Sequence, residues 1–413
     1  MLITPGVVDR CLADEPLPWL GGLRPSEFLR DYWQKKPLLV RNAFPALEAL
    51  LEPAELLELA ETEGAESRLI IENGKEPWEL RDGPFHETTW RKLPKTGWTA
   101  LVQAVDHYLP PLADLLDHFS FIPAWRIDDV MVSYAVPGGS VGPHFDQYDV
   151  FLIQGPGERR WQLGDPCDDS TPRQPHAKLK LLADMPVRFD EVLGPGDLLY
   201  VPPGLAHNGV AASECLTYSV GFRAPALSHL LEHWVDAALE SGAGRLPYQD
   251  AGRAPAAAPA GIADADLDRL RAQVLALLQG DQLLDALAPS LSEPKYGDYE
   301  PEGEPVEPED LRDFLADGGD LLRDPASRLL WLPPRAAAQE GRQEGALWIN
   351  GAACDVPEEV LPWMSRLVNG RRLPAALLAD APEAVLEWLC EQLELGHWLP
   401  VDGLAQLDTQ ADD

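Results

Sequence analysis

The sequence predicts a mainly β catalytic core rolled into a barrel, carrying short helices ahead of it and a helical region and a small α/β unit behind it. Three observations lead there. His144 and Asp146 close a Gly-rich stretch, Pro137-Gly-Gly-Ser-Val-Gly-Pro-His-Phe-Asp. An apolar run, Gly196-Asp-Leu-Leu-Tyr-Val-Pro-Pro-Gly204, leads through a Pro/Gly turn to His207. At 413 residues the chain exceeds one typical core, so several units are expected: a β domain with its N-terminal helices over 1–225, a helical region over 226–300 and an α/β unit over 301–413.

Residues 1 to about 98 read as short amphipathic helices. In the clearest, Ser26 to Lys36, Ser26 is the expected N-cap, Phe28, Leu29, Tyr32 and Trp33 form one stripe, and Pro37 ends the helix. Helical pattern returns at Thr99 to Tyr108 and Leu112 to His118, before barrel strands between Ile127 and Phe222. On a strand, side chains alternate faces, so His144 and Asp146 point one way and Phe145 the other. His207 adds a third group from another strand. Two imidazoles and a carboxylate leave coordination positions open, which suits non-haem Fe(II) oxygen chemistry. A single histidine on an apolar strand is more often a structural one; the joint pattern is what points to metal. His86, His107, His118, His176, His229, His233 and His397 lack such partners and read as structural or surface residues.

Downstream, Gly155-Pro-Gly-Glu-Arg-Arg-Trp-Gln-Leu163 sets Arg159, Trp161 and Leu163 on one strand face and Arg160 and Gln162 on the other. The face with Trp and Leu is the buried one. Arg159 is thereby carried inward, where a guanidinium needs an anionic partner. Either a dicarboxylate cosubstrate, held by a bidentate pair, or an internal Asp or Glu would serve. On the strand ahead of the triad, Ser133 shares a face with Met131 and Asp129 and could bond the same carboxylate.

Composition bounds the partners. The formal charge is −35, from 68 acidic and 33 basic residues. Such a surface disfavours direct nucleic-acid binding and attracts basic polypeptides, and it is equally what salt adaptation produces. No run of about eighteen apolar residues occurs and Met1-Leu-Ile-Thr-Pro has no basic start of a secretion signal, so no membrane partner and a cytoplasmic location are expected. Cys11, Cys167, Cys215, Cys354 and Cys390 are scattered and form no Cys-x-x-Cys pair, which suggests free thiols.

The segments Trp125-Arg-Ile-Asp-Asp-Val-Met, His144-Phe-Asp-Gln-Tyr-Asp-Val-Phe-Leu-Ile-Gln and Tyr218-Ser-Val-Gly-Phe-Arg-Ala-Pro225 resemble the bacterial JmjC-type ribosomal oxygenases, and Phe28-Leu-Arg-Asp-Tyr-Trp through Arg41 is similar to an upstream segment of that family. The resemblance implies a double-stranded β-helix (cupin) core and an arginine hydroxylase of large-subunit ribosomal protein L-sixteen. It implies iron on His144, Asp146 and His207, and 2-oxoglutarate with its far carboxylate on Arg159 and Ser133. O2 is then the second cosubstrate, succinate and CO2 are released, and the chain works as a homodimer. A cationic substrate side chain needs an acidic or aromatic cradle, for which Asp129, Tyr148 and Gln147 are the barrel-mouth candidates. A cupin dioxygenase or isomerase acting on a small molecule would keep the triad without needing Arg159. A metal-bound regulator is a third reading, which the charge opposes.

Behind the barrel, helices are expected at Ala226 to Glu240 and Asp264 to Leu284, around a loose linker from Ala251 to Gly261. Stripes such as Leu267, Leu270, Val274 and Leu277 are more than two helices can bury between themselves, which is why a dimer bundle is expected. An acidic run from Glu302 to Asp310 leads into a unit resembling a winged helix. Its acidic Asp380 to Glu394 helix argues against DNA binding.

Overall fold

The computed structural model describes residues 6–401 apart from 46–49, 76, 241, 243–244, 257–259, 278–281, 297–298 and 335–344. Part of the expected linker, and residues 278–281 of the expected second helix, lie outside the described residues. The chain divides into two compact units. The first comprises Met1–Ala224 with Asp320–Ala326 and Asn369–Pro374; the second comprises Pro225–Gly319, Ser327–Val368 and Ala375–Asp413.

The first unit is built on two antiparallel sheets. Strands β1 (Leu38–Val40), β2 (Ser67–Asn73), β3 (Pro77–Asp82), β4 (Trp98–Val102), β5 (Ile127–Ala135), β6 (Val150–Gln154), β9 (Leu198–Val201) and β11 (Cys215–Phe222) form an eight-stranded sheet ordered β1-β9-β6-β11-β5-β4-β2-β3. Strands β7 (Arg159–Pro166), β8 (Phe189–Leu193) and β10 (Leu205–Ala211) form the second, ordered β10-β7-β8. Alternation divides the large sheet between two cores. Outward residues such as Val130, Val132, Phe151, Ile153, Tyr200, Tyr218 and Phe222 pack with the N-terminal helices, around Phe28. Inward residues Val150, Leu152, Leu199 and Val201 meet Trp161, Leu163 and Leu193 of the small sheet. Both faces of the central strands are therefore covered, and β6, β9 and β11 are buried throughout.

Four sequence expectations change. The N-terminal region contributes β1–β4 as well as helices. Thr99 to Tyr108 is not helical: β4 occupies Trp98–Val102, all buried, and a 3-10 turn covers Val105–His107. It lies inside the sheet between β2 and β5 with every side chain buried, so its run lacks the polar alternation of a half-exposed strand and is not a helical stripe. Helix α1 (Val7–Leu12) is followed by α2, which runs Pro25–Asp31 with Arg24 as N-cap, the Glu27 carboxylate accepting the Arg24 amide at 2.9 Å. Ser26 instead donates its hydroxyl to Asp14 at 2.7 Å. The helix ends well before Pro37, because Gln34 turns at φ +56° and its amide bonds the Tyr200 hydroxyl at 2.7 Å.

Helices α3 (Pro53–Leu59), α4 (Glu87–Trp90) and α5 (Pro110–Leu115) complete this part of the unit. In the second unit, α6 (Leu227–Glu240) packs against α8 (Gln282–Ser292), and α7 (Asp264–Leu277) lies between them in sequence. Leu227, Leu231, Val235 and Leu239 of α6, and Leu267, Leu270 and Val274 of α7, are exposed. Trp388 of helix Glu383–Glu394 meets Trp398 at 5.8 Å in the unit's own core. Among the described residues, no helix is long and apolar enough to cross a membrane.

Candidate metal centre

His144, Asp146 and His207 each offer a ligand atom, and these atoms lie within 4.8 Å of one another. The Gly-rich stretch is not a regular strand here. A single antiparallel bridge joins His144 to His207, the His144 amide donating to the His207 carbonyl at 3.0 Å and the reverse bond measuring 2.8 Å. The Gly204 amide donates to the Asp146 carbonyl at 2.7 Å, tying the Pro/Gly turn to the third group. Backbone pairing thus sets the separation of the side chains, with the Asp146 Oδ2 3.7 Å from His144 Nε2 and 3.6 Å from His207 Nε2.

The tautomers follow from the other ring nitrogens. His144 Nδ1 lies 2.8 Å from the Gly142 carbonyl and His207 Nδ1 3.0 Å from that of Leu205. A carbonyl only accepts, so both Nδ1 atoms carry the proton and both Nε2 lone pairs face Asp146. Burial, followed by the neighbouring His144, pushes the His207 pKa down to about 4. That favours the neutral imidazole that binds a cation. Two neutral nitrogens and a carboxylate converging within 4.8 Å suit a divalent transition ion with positions left for other ligands.

Arg159 and Arg160 separate as strand alternation requires. Arg160 is exposed and forms a bidentate pair with Asp190 at 2.6 and 2.5 Å. Arg159 is only 4% exposed. Its Nη1 is 3.5 Å from the Ser133 hydroxyl, while Nε and Nη2 have no hydrogen-bond partner among the described residues. Its guanidinium lies 5.7 Å from the Trp161 ring, and that ring lies 6.2 Å from His207. No internal Asp or Glu pairs with it among the described residues. A buried guanidinium edge of this kind fits a carboxylate ligand and is costly without one. Gly209 makes room for Trp161: a Cβ there would sit 2.7 Å from the indole. In the sequence, the only signal of Gly209 is a glycine inside a strand.

The substrate candidates sit at different depths. Tyr148 is 42% exposed and Gln147 is exposed, both at the mouth. Tyr148 has its pKa raised by burial of its hydroxyl end and then by the Asp146, Asp129 and Asp128 carboxylates. Asp129 lies deeper than the mouth position expected for it. It is 5% exposed, and its Oδ2 accepts the Ala104 amide at 2.7 Å. It is therefore a buried, amide-bonded carboxylate rather than an exposed one.

A 2-His-1-carboxylate cluster inside a double-stranded β-helix, beside a buried arginine, defines an oxygenase of the JmjC type. Residues 114–230 match the JmjC domain family and residues 269–399 match the ROXA-like winged helix family. The chain is 35% identical over 377 residues to the ribosomal protein uL16 3-hydroxylase of Escherichia coli, covering 90% of this chain and 96% of that one. It is 46% identical over 226 residues to a probable ribosomal oxygenase of Haemophilus influenzae, spanning 54% of each. The crystal structure of E. coli YcfD matches at a TM-score of 0.77 and 34% identity, covering 92% of this chain and 98% of that chain. YcfD, described as a ribosomal oxygenase, in complex with cobalt and 2-oxoglutarate matches at 0.74. The chain belongs to the JmjC-type ribosomal oxygenase family of these proteins.

Proposed function

We propose that this chain is an Fe(II)- and 2-oxoglutarate-dependent protein hydroxylase acting in the cytoplasm on an arginine side-chain carbon of large-subunit ribosomal protein L-sixteen. The observation that carries the reading is the partnerless guanidinium edge of Arg159 beside the triad, in a relative of proteins named for 2-oxoglutarate binding and uL16 hydroxylation.

His144, Asp146 and His207 hold the metal. Iron bound there supplies oxygen activation coupled to oxidative decarboxylation of 2-oxoglutarate, which yields succinate, CO2 and a hydroxylated substrate carbon. Arg159 takes the far carboxylate of 2-oxoglutarate through its two partnerless nitrogens, with the Ser133 hydroxyl as a further donor. Trp161 and Leu163, both buried, keep water from this end. At the other end Tyr148 offers a ring face, and Asp129 a negative charge behind it, for a cationic substrate side chain. Gln147 is placed to bond the substrate backbone. The charge of −35 draws in a basic polypeptide and disfavours direct nucleic-acid contact.

A second copy of the chain covers the apolar faces of α6 and α7, which makes 226–300 the dimerisation region between a catalytic domain at 1–225 and a winged-helix domain at 301–413. Leu231→Glu with Val235→Glu is expected to give a monomer by light scattering; an intact dimer places the interface elsewhere.

Incubation of the iron-loaded protein with L-sixteen and 2-oxoglutarate tests the activity. Succinate formation with a gain of one oxygen on an arginine carbon is expected. Turnover stimulated only by a small metabolite would move the chain to the small-molecule dioxygenases.

A further inference from the structure

Trp78, at the start of edge strand β3, has φ +59°, a left-handed conformation that bulky side chains rarely adopt. Two side chains hold it there. The buried Glu79 carboxylate accepts the Lys75 amide at 2.7 Å and the Arg81 Nε at 2.9 Å, clamping the turn before the strand. His176 Nδ1 accepts the amides of Lys178 and Leu179 at 3.1 and 2.7 Å, so its proton is on Nε2, which donates to the Trp78 carbonyl at 3.1 Å. A histidine read from sequence as structural or surface is thus a clamp for this backbone.

The indole is directed at the loop carrying the first metal-ligand candidate. A Cβ on Gly142 would sit 3.1 Å from Trp78 Cη2, 3.2 Å from Cζ3 and 2.6 Å from Leu181 Cδ2. Gly142, itself at φ +83°, lets the ring edge close over that loop, and its carbonyl accepts the His144 Nδ1 proton. Trp78 is nevertheless only half-buried and belongs to neither core of the two sheets. A strained backbone, clamped from two sides, that presents a half-buried aromatic ring beside the metal loop is a recognition feature more than a packing one.

We propose that Trp78 is a contact for the polypeptide substrate at the rim of the metal centre, its indole face receiving the side chain next to the hydroxylated residue. The proposal rests on the protein-hydroxylase reading above. A small-molecule substrate, enclosed by the barrel, would not reach a ring on the edge strand.

Trp78→Asn and Trp78→Phe test it, with the full chain, iron, 2-oxoglutarate and L-sixteen. Asn tolerates the left-handed conformation and lacks the ring. In Trp78→Asn, KM for the ribosomal protein is expected to rise about tenfold. KM for 2-oxoglutarate and the slow succinate formation without protein substrate stay at the wild-type level, and the melting temperature is unchanged or higher. Trp78→Phe recovers most of the lost KM. An unchanged KM for L-sixteen in Trp78→Asn overturns the proposal. So does a parallel loss of melting temperature and basal succinate formation, which would make the ring structural support. If the unaltered chain leaves L-sixteen unmodified, the substrate reading falls and takes this contact with it; modification by the unaltered chain with equal KM in the variant removes the contact alone.

Discussion

The inner end of the barrel and its mouth treat charge in opposite ways. At the inner end Arg159 is buried, with two nitrogens that bond nothing among the described residues. At the mouth Asp146, Tyr148 and Gln147 reach solvent, and the buried charge behind them, Asp129, is bonded by the Ala104 amide. A buried cation with two unbonded nitrogens suits one recurring ligand. A wetter, acidic and aromatic rim suits a larger partner that arrives and leaves. The metal candidates are positioned by backbone pairing rather than by either group of charges.

The largest effect tests the metal candidates themselves. His144→Ala, Asp146→Ala or His207→Ala is expected to lower iron-dependent 2-oxoglutarate turnover by ~10³-fold or more, since a bound metal stabilises the reacting charge by several kcal/mol. Circular dichroism stays native, because the bridge between His144 and His207 is made by backbone groups. Wild-type turnover in any of the three removes that residue from the site.

Next comes the inner end itself. Arg159→Met is expected to weaken 2-oxoglutarate binding by about 2 to 5 kcal/mol, or ~30-fold and upward. Arg160→Ala, which breaks only an exposed pair, leaves binding unchanged. Without cosubstrate, Arg159→Met melts at a higher temperature than the unaltered chain, since a partnerless buried charge is replaced by an apolar side chain of similar length. Calorimetric titration and melting curves check both. Equal losses at the two arginines would break the contrast on which the comparison stands.

That contrast was legible in the sequence because alternation is a local property: Arg159 and Arg160 are adjacent, and Trp161 and Leu163 mark the buried face. The triad was legible because His144 and Asp146 are two residues apart and His207 follows a Pro/Gly turn. Properties set by distant residues were not. The strand Trp98–Val102 lacks polar alternation because its neighbours cover both faces. Ser26 lost its capping role to Arg24 because Asp14 takes its hydroxyl and Pro25 already starts the helix. Asp129 is a buried carboxylate bonded by the amide of Ala104, which is brought alongside by the fold. Trp78 carries no local signal, since its left-handed backbone is imposed by Glu79 and His176.

The mouth gives a smaller effect. Asp129→Asn keeps an acceptor for the Ala104 amide and removes the charge. KM for L-sixteen is expected to rise about tenfold, with KM for 2-oxoglutarate within about twofold of wild type. Tyr148→Leu, which removes a ring face, is expected to do the same to a lesser degree. Steady-state kinetics with each substrate varied in turn decides it. A larger change for 2-oxoglutarate would mean that the two ends are not separate.

The smallest effect on turnover concerns what lies behind Asp129. Asp106 is 2% exposed, and burial, then the Asp129 carboxylate, pushes its pKa up to about 7, against the opposing pull of the Val130 amide and Arg371. A carboxyl raised in the folded state is favoured there only while protonated. Its stabilising contribution is whole below the ordinary carboxylate value of 3.8, declines as pH rises, and is gone above about 7. Asp106→Asn stays neutral at every pH and can still accept the Val130 amide, which reaches Oδ1 at 2.8 Å in the unaltered chain. The variant's advantage in denaturant stability is therefore expected to grow between about pH 5 and pH 8, on the order of 2 kcal/mol. Parallel curves over that range would mean that Asp106 is ionised in the fold at both, and that the acid behind the mouth is held by its cations rather than by a proton.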